Sequence, residues 1–207
     1  MARLVLEGKR ERELYEALGN RLRKHPKVAA RSLEVCLDRK VKGSRWRKRP
    51  DIAVYDGNTC VALVEAKMAY AVEMIDAKRP DTYLCSQVRE DIGKLRSKAW
   101  PECARFALVF LIYSHETPAA PEGRLQGYGK GRPRLTKQGL CTLSDMEATS
   151  DHYGEPEIRG GFSHYLEAWR SGYSALSVAS AGKFAAGKAY GTEVTIFYWL
   201  LRVPRSD

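Results

Sequence analysis

The sequence predicts an α/β sandwich, with a mixed central β-sheet and helices on its faces. Two observations carry this prediction. Apolar residues recur at helical spacing in three separate segments, and five others show strand-like alternation or near-continuous apolar runs. The two kinds of segment interleave in the order helix, strand, hairpin, helix, strand, helix, strand. The 207 residues are read as a single domain, long enough to bury a real core.

Lys9 to Lys24 reads as an amphipathic helix, because Leu14, Tyr15, Leu18 and Leu22 fall on one face. Glu11 lies on that same face one turn earlier, whereas Glu13 and Glu16 fall toward solvent. A glutamate in phase with a core face calls for a partner; the alternative is that it only favours the helix N-terminal dipole. Pro26 is expected to end the helix. Ser32 to Leu37 is a strand, with Leu33, Val35 and Leu37 alternating against Glu34 and Cys36. Met68 to Ala77 is read as a helix or loop. Arg79-Pro80-Asp81 reads as an element boundary set by the proline.

Gln87 to Lys98 is predicted helical, with Leu84, Val88, Ile92 and Leu95 on one stripe. Arg105 to Ser114 is nearly all apolar, which marks a central strand covered on both faces. Pro118 to Pro133, rich in proline and glycine, is a long surface excursion. Its Gly127-Tyr128-Gly129-Lys130-Gly131 cluster lacks the ending of a phosphate-binding loop. Phe162 to Tyr173 is a helix whose aromatic stripe (Phe162, Tyr165, Trp169, Tyr173) belongs to the core or a subunit interface. Glu193 to Val203 is the closing strand.

The segment from Arg49 to Lys67 is the most informative. Apolar runs at Ile52–Tyr55 and Cys60–Val64 flank Asp56-Gly57-Asn58, a strong hairpin signal. A three-residue loop at Gly57, Asn58 and Thr59 sets Asp51 opposite Glu65. Alternation puts Glu65 and Lys67 on one face and turns Ala66 away. Two carboxylates and a lysine therefore converge at one end of an apolar hairpin. Burying them is costly unless they pair or bind a metal; the alternative is an exposed hairpin with solvated ends. Two carboxylates suit a hard divalent cation, which stabilises charge on a phosphate and lowers the pKa of a water. A neighbouring lysine orients that water or neutralises developing charge.

These residues resemble the PD-(D/E)xK nuclease superfamily. Pro50-Asp51 matches the first half of its motif and Glu65-Ala66-Lys67 the second. The resemblance implies a restriction-endonuclease-like three-layer sandwich, with its core at about 9–114 and a C-terminal elaboration at 115–207. It implies that Asp51, Glu65 and the Ala66 carbonyl hold Mg²⁺, with Mn²⁺ as a substitute. It assigns the water to Lys67 and a supporting carboxylate to Glu11 on the first helix, where Glu11-Arg12-Glu13-Leu14 also looks like the opening of archaeal Holliday-junction resolvases. The Gln-x-x-x-Tyr motif of RecB-like relatives fails at Gln87, because its fourth residue on is Asp91. DNA as substrate comes from the resemblance alone.

Charge points the same way. The net charge of +10 favours a polyanionic partner. Seven of the eleven residues from Arg39 to Arg49 are cationic, and this run leads directly into Pro50-Asp51. Arg45, Arg47, Lys48 and Arg49 are therefore assigned to phosphate contacts, the alternative being a solvated loop. A second basic run, Arg124 to Lys137, is left open between the two. Cys36, Cys60, Cys85, Cys103 and Cys141 form no paired motif, and His25, His115, His152 and His164 are dispersed. Buried thiols in a reducing cytoplasm are expected, without zinc. No apolar run is long enough to span a membrane. The expected function is a Mg²⁺-dependent endodeoxyribonuclease. One such site cuts one strand, so a double-strand cut requires a homodimer or two binding events. The rival is a non-catalytic nucleic-acid-binding subunit on the same fold.

Overall fold

The computed structural model describes residues 1–2, 11–38, 41, 49–71, 83–115, 154–189 and 191–205. In chain order the elements are α1 (Glu11–Arg23), α2 (Pro26–Ala30), β1 (Glu34–Leu37), β2 (Ile52–Asp56), β3 (Thr59–Tyr70), α3 (Tyr83–Arg96), β4 (Ala104–Ser114), α4 (Glu155–Gly172), β5 (Ser177–Ala189) and β6 (Thr192–Arg202). The six strands form one sheet in the order β1-β2-β3-β4-β6-β5. Among the described strands only β3 and β4 pair in parallel, so the sheet is mixed. The fold class is α/β, as the element order predicted.

Alternation along the strands divides the core into two faces. On one face Leu63, Ala69, Val109, Leu111, Phe197 and Trp199 pack with α3 and α4. On the other, Ala66, Met68, Tyr70, Leu108, Phe110 and Ile196 cluster with Leu14 and Tyr15 of α1. The aromatic stripe of α4 is core: Phe162 stacks on Trp199 with ring centroids 3.9 Å apart, and the Trp169 indole donates to the Cys85 carbonyl. β4 is central, between β3 and β6, and its side chains are buried along nearly its whole length.

Two devices fix the elements that frame the site. Gly19 lets α1 approach β1 closely, since a Cβ there would lie 2.4 Å from Leu37 Cδ2. The C-terminal end of α3 is held by Arg105, whose buried guanidinium donates to the carbonyls of Leu95, Ser97, Trp100 and Pro101. The Trp100 indole adds a bond to the Lys94 carbonyl.

The structure corrects four sequence readings. α1 stops at Arg23, and Pro26 opens the short α2, where its missing N–H costs nothing. Met68 to Tyr70 continue β3 rather than starting a helix or loop, because β4 and the two apolar clusters hold them in the sheet. β5 was not anticipated: it is an edge strand of mostly small, exposed residues with no apolar alternation to reveal it. The hairpin loop has two residues, not three, and Gly57 at its first position has φ +55°, the sign a type II′ turn requires there. Val61 then forms a bulge, with Tyr55 opposite Cys60 but Val54 opposite Ala62. The shorter turn and the extra residue cancel, so Ile52 still faces Val64 and Asp51 meets β3 at the predicted level.

The basic residues Arg45, Arg47 and Lys48, the segment from Val72 to Pro80-Asp81, and the glycine-rich run with its second basic stretch lie outside the described residues. No described helix is long and apolar enough to cross a membrane. The described cysteines Cys36, Cys60, Cys85 and Cys103 are free thiols.

Candidate functional site

The site forms where β2 ends and β3 runs on. The last registered pair is Ile52 with Val64, so the β3 edge beyond it has no strand beside it among the described residues. Backbone N–H groups cannot stay unpaired where water is excluded. Two carboxylates take them instead. Asp51 Oδ2 accepts from the Ala66 N–H at 2.7 Å, and Glu11 Oε2 accepts from the Met68 N–H at 3.1 Å. Asp51 is itself held by its own carbonyl, which accepts from the N–H of Asp38. Glu11 arrives from the first turn of α1. Its position in phase with the helix core face therefore serves a specific partner rather than the helix dipole alone.

The Glu11 carboxylate also bridges to the side chains. Its Oε1 accepts from Lys67 Nζ at 3.1 Å. Lys67 extends from the β3 face that carries α3, so Glu11 and Lys67 meet around the open strand edge. On that same face Lys67 Nζ lies 3.3 Å from Asp91 Oδ2, and Asp91 Oδ1 accepts from Lys94 Nζ at 2.5 Å. Glu65, one pleat from Lys67, is 7% exposed and makes no hydrogen bond or ion pair among the described residues.

Four carboxylates thus face two lysines in a largely dry setting, and the imbalance appears in their protonation. Burial, followed by repulsion from Asp51 and Asp91, pushes the Glu65 carboxyl up to about 9 despite Lys94 and Lys67. Burial also raises Asp51, to about 6, with repulsion from Glu11 and Asp91 adding to it against the Ala66 bond and Lys67. For Lys67 burial works against the charge, but Glu11 and Asp91 overcome it and hold the ammonium above its ordinary range. Lys94 is raised in the same way, burial being outweighed by its bond to Asp91. Tyr15, one turn along α1 from Glu11, is pushed up to about 12 by burial and by the nearby Asp51 and Asp38.

This chemistry fits a hard divalent cation. The donors would be oxygen only, the excess negative charge is what a cation relieves, and Glu65 is buried without a partner among the described residues. A strand residue turns its N–H and C=O to the same edge, so the Ala66 carbonyl faces the open edge that Asp51 occupies. Among the described residues no three His, Cys, Asp or Glu side chains are grouped as a metal site on their own. The donors available to a cation would be the Asp51 and Glu65 carboxylates and the Ala66 carbonyl.

Of the sequence-derived site residues, Asp51, Glu65, Ala66, Lys67 and Glu11 come together. Arg49 is exposed, close in sequence to Asp51, and donates from Nη1 to the Asp38 carbonyl at 3.4 Å. Asp91 and Lys94 were not anticipated. The signal was present, because Asp91 shares the stripe of Leu84, Val88, Ile92 and Leu95, and an acidic residue in phase with a core face is the same anomaly that marked Glu11. No family model, curated protein or solved structure matches the chain.

Proposed function

We propose that this chain is a metal-dependent nuclease that hydrolyses phosphodiester bonds in DNA, on a restriction-endonuclease-like version of its α/β fold. The observation that carries the reading is the convergence of Asp51, Lys67 and Glu11 at the open end of β3, with Glu65 close enough to Asp51 and Lys67 to feel their charges, four residues drawn from α1, the residue before β2, and β3. Asp51, Glu65 and the Ala66 carbonyl would hold Mg²⁺, or Mn²⁺ in its place. When bound, the cation supplies charge stabilisation on the phosphate and a more acidic attacking water.

The protein's own residues do the rest. Asp51 is fixed by the Ala66 N–H, so one oxygen is anchored and the other remains for the ligand. Glu65 holds its proton well above the ordinary carboxylate range, so binding a cation there would release it. Lys67 stays an ammonium between Glu11 and Asp91. It therefore acts as a charged donor that orients the water and neutralises charge building on the phosphate, not as a base. The basic run before Pro50 supplies phosphate contacts that bring the backbone to the carboxylates.

Calorimetry with Mg²⁺ and Mn²⁺ separates this reading from a pure nucleic-acid binder. The nuclease reading expects binding by the parent protein and its loss in Asp51→Asn and Glu65→Gln. Equal heats from all three proteins would remove the proposed site.

A further inference from the structure

Asp91 is 2% exposed, yet no backbone group and no neutral side chain among the described residues satisfies it. Its partners there are two ammonium groups. Oδ1 takes Lys94 Nζ at 2.5 Å, and Oδ2, which makes no hydrogen bond among the described residues, lies 3.3 Å from Lys67 Nζ. Such a buried ionic cluster adds little to stability compared with an apolar replacement, because desolvation consumes most of the Coulomb gain. What it provides is position. A lysine side chain is a flexible four-carbon stem. Here its end is held on one side by Glu11 from α1 and on the other by Asp91 from α3, helices on opposite faces of the sheet. α3 is in turn pinned at its C-terminal end by Arg105 and Trp100.

We infer that Asp91 is a positioning residue: fixed by Lys94, it holds the Lys67 ammonium beside the Asp51–Glu65 pair in its working place. This deepens the nuclease reading and rests on it. A ligand role for Asp91 fits less well, since Oδ1 is occupied by Lys94 and no three carboxylates group as a metal site among the described residues.

The test uses Asp91→Asn, which keeps the size of the side chain and removes its charge. On a DNA substrate with Mg²⁺, kcat falls roughly 10–100-fold, the usual effect of losing an outer partner, while KM and calorimetric Mg²⁺ affinity stay unchanged. In a Lys67→Ala background the same substitution has no further effect on kcat, as expected of a residue acting through Lys67 alone. An equal loss in that background, or a loss of Mg²⁺ affinity, overturns the proposal. A second readout needs no catalysis. Acetic anhydride labelling with mass spectrometry should modify Lys67 several-fold faster in Asp91→Asn than in the parent, with exposed Lys24 as the unchanged control. Equal Lys67 reactivity overturns the proposal whether or not DNA is cleaved. A parent protein that cleaves nothing, but whose Lys67 is released by the substitution, brings down the nuclease reading and leaves the Asp91 contact standing. Where Asp91→Asn does not fold, Asp91→Asn with Lys94→Met removes the stranded second ammonium and is read in the same way.

Discussion

Glu65 is the residue on which the proposed chemistry turns, because it is buried without a hydrogen bond or ion pair among the described residues, and Lys94 and Lys67 offset only part of the cost that a proton or a cation would relieve. The folded protein keeps this proton where the unfolded chain has released it, so the sign of the linkage is fixed. The stability contributed by the raised pKa is fully present below the ordinary carboxylate value of 4.5 and is lost as pH rises toward about 9. Asp51 adds the same trend between 3.8 and about 6. The metal-free protein should therefore lose thermal stability from about pH 5 to about pH 7, above which the lowered Cys103 thiol opposes the trend, and Glu65→Gln should flatten that decline. A melting temperature that climbs over this range, or an unaltered slope in the variant, would contradict the assignment. Lys67→Ala should keep Mg²⁺ affinity while losing turnover by roughly a hundredfold or more, the usual effect of a lost charge-stabilising group. Single-turnover cleavage checks it, and parent-like rates would make the Glu65-Ala66-Lys67 motif coincidental. These residues were legible because each broke a local rule: Asp51 and Glu65 put charge on an apolar hairpin, and Glu11 put charge on a core face. Asp91 breaks the same rule on α3, at the position where the Gln-x-x-x-Tyr motif would place tyrosine.

At the level of elements, the site depends on where β2 stops against β3. The bulge at Val61 offsets the short turn at Gly57 and Asn58, and Ile52 faces Val64 as a consequence. Deleting Val61 should heal the bulge without moving that pair, so Mg²⁺ affinity should be retained; calorimetry on the deletion variant decides, and its loss would show that the bulge itself aims Asp51. Burial of the α4 stripe has a different consequence. Trp169 is fully buried and ties α4 to Cys85 of α3, so Trp169→Ala should cost about 3–5 kcal/mol, measurable by urea unfolding. A change under about 1 kcal/mol, the range of surface substitutions, would place the helix outside the core. Elements with a strong apolar pattern, such as the continuous run of β4 and the periodic face of α1, could be read from sequence. β5 could not, because an exposed edge dominated by Ala, Ser, Gly and Lys, with Ala186 its one buried residue, carries no apolar alternation. The bulge was equally hidden, since its register is set by tertiary pairing and leaves no local signal.

For the whole molecule, the net charge is +10 while the described site is locally acidic, a balance that would suit a polyanionic partner in the proposed function. Neutralising Arg45, Arg47, Lys48 and Arg49 together should weaken DNA binding across sequences. It should also flatten its salt dependence by roughly 0.9 log unit per lost duplex phosphate contact. An unchanged salt slope would return the run to a solvated loop. The fold class was legible as an alternation of helices and strands, and the sheet order was not, because β6 lies beside β4 through pairings distant in sequence and carries β5, its antiparallel hairpin neighbour, to the sheet edge. The most direct measurement is cleavage of supercoiled, linear, single-stranded and branched DNA by the parent protein and Glu65→Ala, each with Mg²⁺ and with EDTA. The account predicts cleavage of at least one substrate by the parent with Mg²⁺ only, and DNA binding without cleavage by Glu65→Ala. Cleavage by Glu65→Ala at the parent rate, or no cleavage of any substrate by the parent, would contradict it.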